Sequence, residues 1–159
     1  VDVMGMEIHD REKNRHRFKM MNDQFFGHYY DVVVDPKADN GRQGAGTVHH
    51  IAFRTPTNDM QIGWQNALRE KGFSVTSIRD RKYFKSIYFN EPGGVLFEIA
   101  TDAPGFTVDE SDENLGQDLK LPDQYEPMRA EIETRLPKLD AASKWSLRDL
   151  ERSQMEALG

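Results

Sequence analysis

Two stretches of this 159-residue chain are variants of one another, and that self-similarity restricts the fold more than any other feature. Gly27, His28, Tyr29, Tyr30, Asp31, Val32, Val33, Val34 and Asp35 lie over Gly94, Val95, Leu96, Phe97, Glu98, Ile99, Ala100, Thr101 and Asp102. Each stretch follows a hairpin-like segment, so the chain reads as two copies of one module. The second copy is complete. Thr47 to Arg54 is β-rich, and Pro56, Thr57 and Asn58 start a helix in which Met60, Trp64, Ala67 and Leu68 recur until Gly72 closes it. Phe73 to Ile78, Ser86 to Asn90 and Val95 to Thr101 follow as short strands, with Pro92, Gly93 and Gly94 turning the last pair. Residues 47–101 therefore form a β-α-β-β-β unit.

The first copy has only Val1 to Met6 ahead of its first strand-like segment. Residues 1–46 are accordingly expected to hold the closing strands of an incomplete module, the chain beginning inside that module; a shortened repeat is the alternative. Asp35 to Gly46, with Pro36, Gly41, Gly44 and Gly46, reads as the linker, since its Lys37 and Arg42 match no Gly-rich phosphate motif. Residues 102–159 form an acidic extension with helix candidates at Pro127 to Leu136 and Ala141 to Leu158.

Charge and composition remove several function classes. The net charge is −6, and residues 102–159 carry 14 acids against 7 bases, which leaves the modules near neutral and disfavours a basic nucleic-acid binder. With no cysteine there is no disulfide, thiolate nucleophile or thiolate ligand, so a metal must be held by His, Asp or Glu. No apolar run approaches the roughly 20 residues of a membrane-spanning helix, and the reading is a cytoplasmic protein without a membrane partner.

Strand alternation sorts the polar residues. His50, Ala52 and Arg54 share one face of their strand, His49, Ile51 and Phe53 the other. Leu96, Glu98 and Ala100 form a face that is apolar except for one carboxylate, which needs a cation, a donor or solvent. A divalent metal shared with a neighbouring His is one solution; an Arg or Lys partner, or exposure, is the other. Ser86, Tyr88 and Asn90 share a face, so Tyr88 either puts a phenol near that metal, if this face lines the same concavity, or is an ordinary amphipathic strand residue. Tyr83, beside Arg81, Lys82 and Lys85, either borders a cavity mouth or is an exposed turn aromatic. His9, His16 and His28 read as surface or hydrogen-bonded residues, and Asp31, at the repeat position of Glu98, as a structural carboxylate before a ligand.

Gly44 to Phe53, Tyr83 to Phe89 and Glu91 to Thr101 together resemble the glyoxalase/bleomycin-resistance/extradiol-dioxygenase superfamily, above all its ring-cleaving hydroquinone and catechol dioxygenases. Pro104 to Asp109, Leu119 to Pro122 and Arg129 to Leu136 extend the resemblance into the tail. It implies an α+β fold in which paired βαβββ modules form a cup-shaped mixed sheet, here with the first module incomplete and a helical C-terminal tail. It also implies His50 and Glu98 as ligands of Fe(II), or alternatively Mn(II), and Tyr88 as the catalytic acid/base. The third ligand would be a His on the opening strand of the preceding module, the piece missing here. Tyr83 and His49 are then the candidate substrate-binding residues. The implied partners are a small aromatic diphenol and O2, and open strand edges favour a homo-oligomer. Another metal-dependent lyase or isomerase of the superfamily, and a metal-free module that binds a small aromatic ligand, are the alternatives.

Overall fold

The computed structural model describes residues 3–20, 27–39 and 41–136, in one unit ending at Gln117 and a second beginning at Asp118. The first unit contains two sheets. Strands β1 (Glu7–Glu12), β2 (Arg15–Lys19) and β3 (Tyr29–Val33) pair antiparallel in that order. The hairpin between β1 and β2 turns at Lys13, whose φ of 53° is left-handed, and Asn14 closes it by exchanging hydrogen bonds with the backbone of Val34. The second sheet has the order β4-β7-β6-β5, formed by Ile51–Thr55, Leu96–Thr101, Lys85–Asn90 and Arg79–Asp80. Strand β4 runs parallel to β7, which requires the crossover helix α1 (Asn58–Glu70); the other pairs are antiparallel.

Local chemistry sets the ends of α1. Thr57 caps it by accepting from Met60 N, and Gly72, at φ +85°, takes the left-handed turn that lets Phe73 N reach Leu68 O. The helix covers the face of the sheet that carries Ile87, Phe89, Phe97 and Ile99, and these four with Leu68 form the buried core. Burying each such side chain contributes roughly 1.5–3 kcal/mol relative to exposure. Tyr30 and Phe97, counterparts in the repeat, meet edge-on with ring centroids 5.5 Å apart and join the two sheets.

The α+β reading agrees with the structure, in which the strands of the two modules form separate three- and four-stranded sheets, whereas several boundaries differ. The first strand of the complete module begins only at Ile51, leaving His50 on the approach to it. Phe73 to Ile78 forms no regular strand: Thr76 alone reaches β6, through Thr76 N to Tyr88 O at 3.0 Å, while Thr76 O is taken by the Gln65 amide at 2.6 Å. On α1, Met60 is half exposed and Gln61 is fully buried, the reverse of what apolar spacing implies. Gln61 Nε2 explains the exchange, since it donates to Lys85 O at 2.7 Å and Ile99 O at 2.8 Å and ties the helix to β6 and β7.

In the second unit, the expected helix over Pro127 to Leu136 divides into a 3₁₀ segment, Asp123–Met128, and α2, Arg129–Arg135. Arg129 braces the junction by pairing with Glu126 at 2.7 Å and Glu133 at 3.1 Å. The candidate helix Ala141 to Leu158 lies outside the described residues.

Candidate active site

Register brings the candidate residues together. Glu98 on β7 stands opposite Ala52 on β4 and Tyr88 on β6, so the faces carrying His50, Glu98 and Tyr88 coincide. Glu98 is 2 % exposed, and its two oxygens have different partners. Oε2 lies 2.6 Å from His50 Nε2. Oε1 accepts from Tyr88 OH at 2.8 Å and from Ser86 Oγ. This buried side chain is therefore met by two hydroxyl donors and one imidazole, without a lysine or arginine on either oxygen among the described residues.

Further contacts orient these groups. His49 Nδ1 lies 2.7 Å from His50 Nδ1. His50 thus has a partner at both ring nitrogens, Glu98 at Nε2 and His49 at Nδ1. Arg81, just past the end of β5, reaches Tyr88: its Nε lies 3.4 Å from Tyr88 OH and its guanidinium carbon 5.5 Å from the ring centroid. Tyr83 is engaged elsewhere, with its hydroxyl donating to Asp109 at 3.1 Å and its ring against Phe106. Burial, then the hydrogen bond to Asp109, raises the Tyr83 phenol above its ordinary pKa.

Asp31, the counterpart of Glu98, is closed by arginines. Arg17 grips it at 2.7 and 2.8 Å and Arg15 adds a contact at 3.1 Å, so that the hydrogen bond from Arg17 holds its carboxyl below the usual range. An apolar groove of about 450 Å³, bordered by Met4, Phe18, Tyr30, Leu68 and Phe97, opens on the face of the sheet opposite to Glu98 and takes no part in this cluster.

An imidazole nitrogen and a carboxylate oxygen that face one another, the latter free of hydroxyl donors, are donor types that suit Fe(II) or Mn(II). No group of three His, Asp or Glu side chains able to hold a metal occurs among the described residues. Strand alternation placed Ser86 on the face it shares with Tyr88 without its contact to Glu98, and Arg81 was marked only as a neighbour of Tyr83, without its place over Tyr88. A carboxylate bounded by turn-flanked hydroxyl residues at positions i−12 and i−10 was the available signal.

A family model described as the glyoxalase/bleomycin resistance protein/dioxygenase superfamily matches residues 1–99. The chain belongs to this superfamily. It is 45% identical over 135 residues to MhqO of Bacillus subtilis strain 168, named as a ring-cleaving dioxygenase, over 85% of this chain and 42% of MhqO. It is 41% identical over 107 residues to a chlorohydroquinone/hydroquinone 1,2-dioxygenase of Sphingobium indicum, covering 64% of this chain and 32% of that protein. A crystal structure of a Bacillus subtilis protein described as a dioxygenase matches 87% of this chain and 44% of its own, with a TM-score of 0.77 and 44% identity. The chain thus spans less than half the length of these relatives. No helix among the described residues is long and apolar enough to cross a membrane.

Proposed function

We propose that the chain is the catalytic portion of a metal-dependent, extradiol-type ring-cleaving dioxygenase acting on a hydroquinone or catechol with O2. The observation that carries this reading is the convergence of His50 and Tyr88 on opposite oxygens of the buried Glu98 carboxylate. Relatives named as ring-cleaving dioxygenases, one of them for hydroquinone, support the substrate class.

His50 Nε2 and Glu98 Oε2 would hold Fe(II), or Mn(II), with the remaining protein ligand supplied from outside the described residues. When bound, the cation supplies polarisation of the diphenol oxygens and electron transfer toward dioxygen. Tyr88 OH would give its proton to the substrate as the ring opens and take one back afterwards, and Arg81 Nε offers the Tyr88 oxygen a cationic neighbour while it is without its proton. Glu98 Oε1, facing Tyr88, keeps the phenol oriented. His49 steadies the far nitrogen of the His50 ring and, with Tyr83, remains a candidate substrate contact. The reaction balances without an external reductant: one ring C–C bond breaks and both atoms of O2 enter the product. A cysteine-free chain that uses ferrous iron suits the reducing cytoplasm.

Oxygen uptake tests the proposal. After anaerobic loading with Fe(II), the chain should consume O2 and hydroquinone or catechol in equal amounts, and Glu98→Ala should not. Absence of diphenol cleavage by an iron-loaded chain rejects it.

A further inference from the structure

The two copies of the module treat equivalent carboxylates in opposite ways, and the residues on the neighbouring strand account for the difference. Asp31 faces Arg17 across β2 and β3 as Glu98 faces Tyr88 across β6 and β7. One step along, Arg15 faces Val33 as Ser86 faces Ala100. Ser86 and Tyr88 thus occupy the places of Arg15 and Arg17. In the first copy the two guanidiniums take up both oxygens of Asp31 and neutralise it. In the second, two hydroxyls, which bring no charge of their own, fall on a single oxygen, Oε1.

We infer that Ser86 is a positioning residue: its hydroxyl anchors Glu98 Oε1 and thereby aims Oε2 at His50. The inference rests on the proposed metal site. Ser86 is fully buried, so water cannot replace its hydroxyl, and the Glu98 side chain has two torsions beyond its Cβ that a single donor leaves unrestrained. Tyr88 cannot supply the anchor alone, because its OH is the group that must leave Oε1 to exchange a proton with substrate. Ser86 holds the carboxylate while Tyr88 is engaged elsewhere. A hydroxyl in this place restrains a ligand without neutralising it, which is what an arginine at the same position does to Asp31.

The test reads the metal-free and metal-loaded chain separately. In the metal-free chain the His50 Nε2–H proton, followed by 1H–15N correlation spectroscopy, reports whether Oε2 is aimed at the ring. Ser86→Ala should shift and broaden this signal, and Ser86→Thr, which keeps the hydroxyl, should retain it. With Fe(II) titrated anaerobically, Ser86→Ala should weaken affinity by about 10- to 100-fold, and Ser86→Thr should restore most of it. An unchanged His50 signal and unchanged affinity in Ser86→Ala overturn the inference, whatever happens to thermal stability. Should Ser86→Ala not fold, Ser86→Cys, whose thiol is a weak donor, should give an intermediate signal shift, and no shift overturns the inference. If the unaltered chain takes up no metal while its His50 signal responds as expected, the metal-site reading fails and the positioning role stands.

Discussion

Gln61→Leu should destabilise the chain by about 2–3 kcal/mol although it replaces a polar side chain in the core with an apolar one of similar volume. Gln61 is fully exposed to no solvent, and its Nε2 donates to two backbone carbonyls, Lys85 O and Ile99 O, at 2.7 and 2.8 Å. Losing two such bonds costs about 1 kcal/mol each, and an orphaned buried carbonyl adds about 1–3 kcal/mol. Two effects oppose this: the buried Gln61 Oε1 has no partner, so its removal is a gain, and Leu fills the space with apolar surface. The carbonyl losses win because the bond to Ile99 O is buried and that to Lys85 O part-buried, so that water can replace at most the second. Urea unfolding followed by near-UV circular dichroism measures the difference, with an unchanged slope showing that the denatured state is the same. A loss below about 0.5 kcal/mol, or a gain, would refute the claim that this amide fastens the helix to the strands that carry Ser86 and Glu98.

Thr57→Ala should cost about 0.5–2 kcal/mol by uncapping α1, measured in the same unfolding assay, with Thr57→Ser nearly neutral. Asp31→Asn should remove an acid-sensitive part of the stability. Because the Arg17 contact lowers the folded-state pKa, that part is present above the ordinary carboxylate value of about 4 and fades as pH falls through the lower folded value, so variant and parent should converge at acid pH. The difference at neutral pH should shrink with added salt, since the pair is open to solvent. Arg81→Ala should reduce kcat while metal content stays the same, read by steady-state oxygen uptake and elemental analysis, because Arg81 touches Tyr88 and neither Glu98 nor His50.

Much of the fold was legible because strands and their turns write themselves into short patterns. Gly94, at φ +91°, and the Glu91 side chain, which accepts from Gly93 N and Val95 N, make the turn that the Pro-Gly-Gly signal marks. The shared face of His50, Tyr88 and Glu98 also followed from alternation, once β4 is set beside β7 and β6 in the observed register. What alternation could not show is contact chemistry that depends on register and on single side chains. Phe73 to Ile78 looks like a strand by composition, yet Gln65 claims the carbonyl of Thr76 that a ladder would use. Helical spacing favours Met60 for burial over Gln61 because apolar character was the only guide, whereas the decisive fact is a pair of carbonyls on strands distant in sequence. Equally, nothing local separates Glu98 from Asp31: both are acids in similar strands, and their fates diverge through Ser86 and Tyr88 on one neighbour and Arg15 and Arg17 on the other.

The most direct test of the central claim is an anaerobic Fe(II)-binding isotherm of the unaltered chain beside His50→Ala, Glu98→Ala and Tyr88→Phe. The expected result is a saturable site that both ligand variants lose and Tyr88→Phe retains. Binding that survives in Glu98→Ala, or no binding in the unaltered chain, would contradict the assignment of His50 and Glu98 as metal ligands.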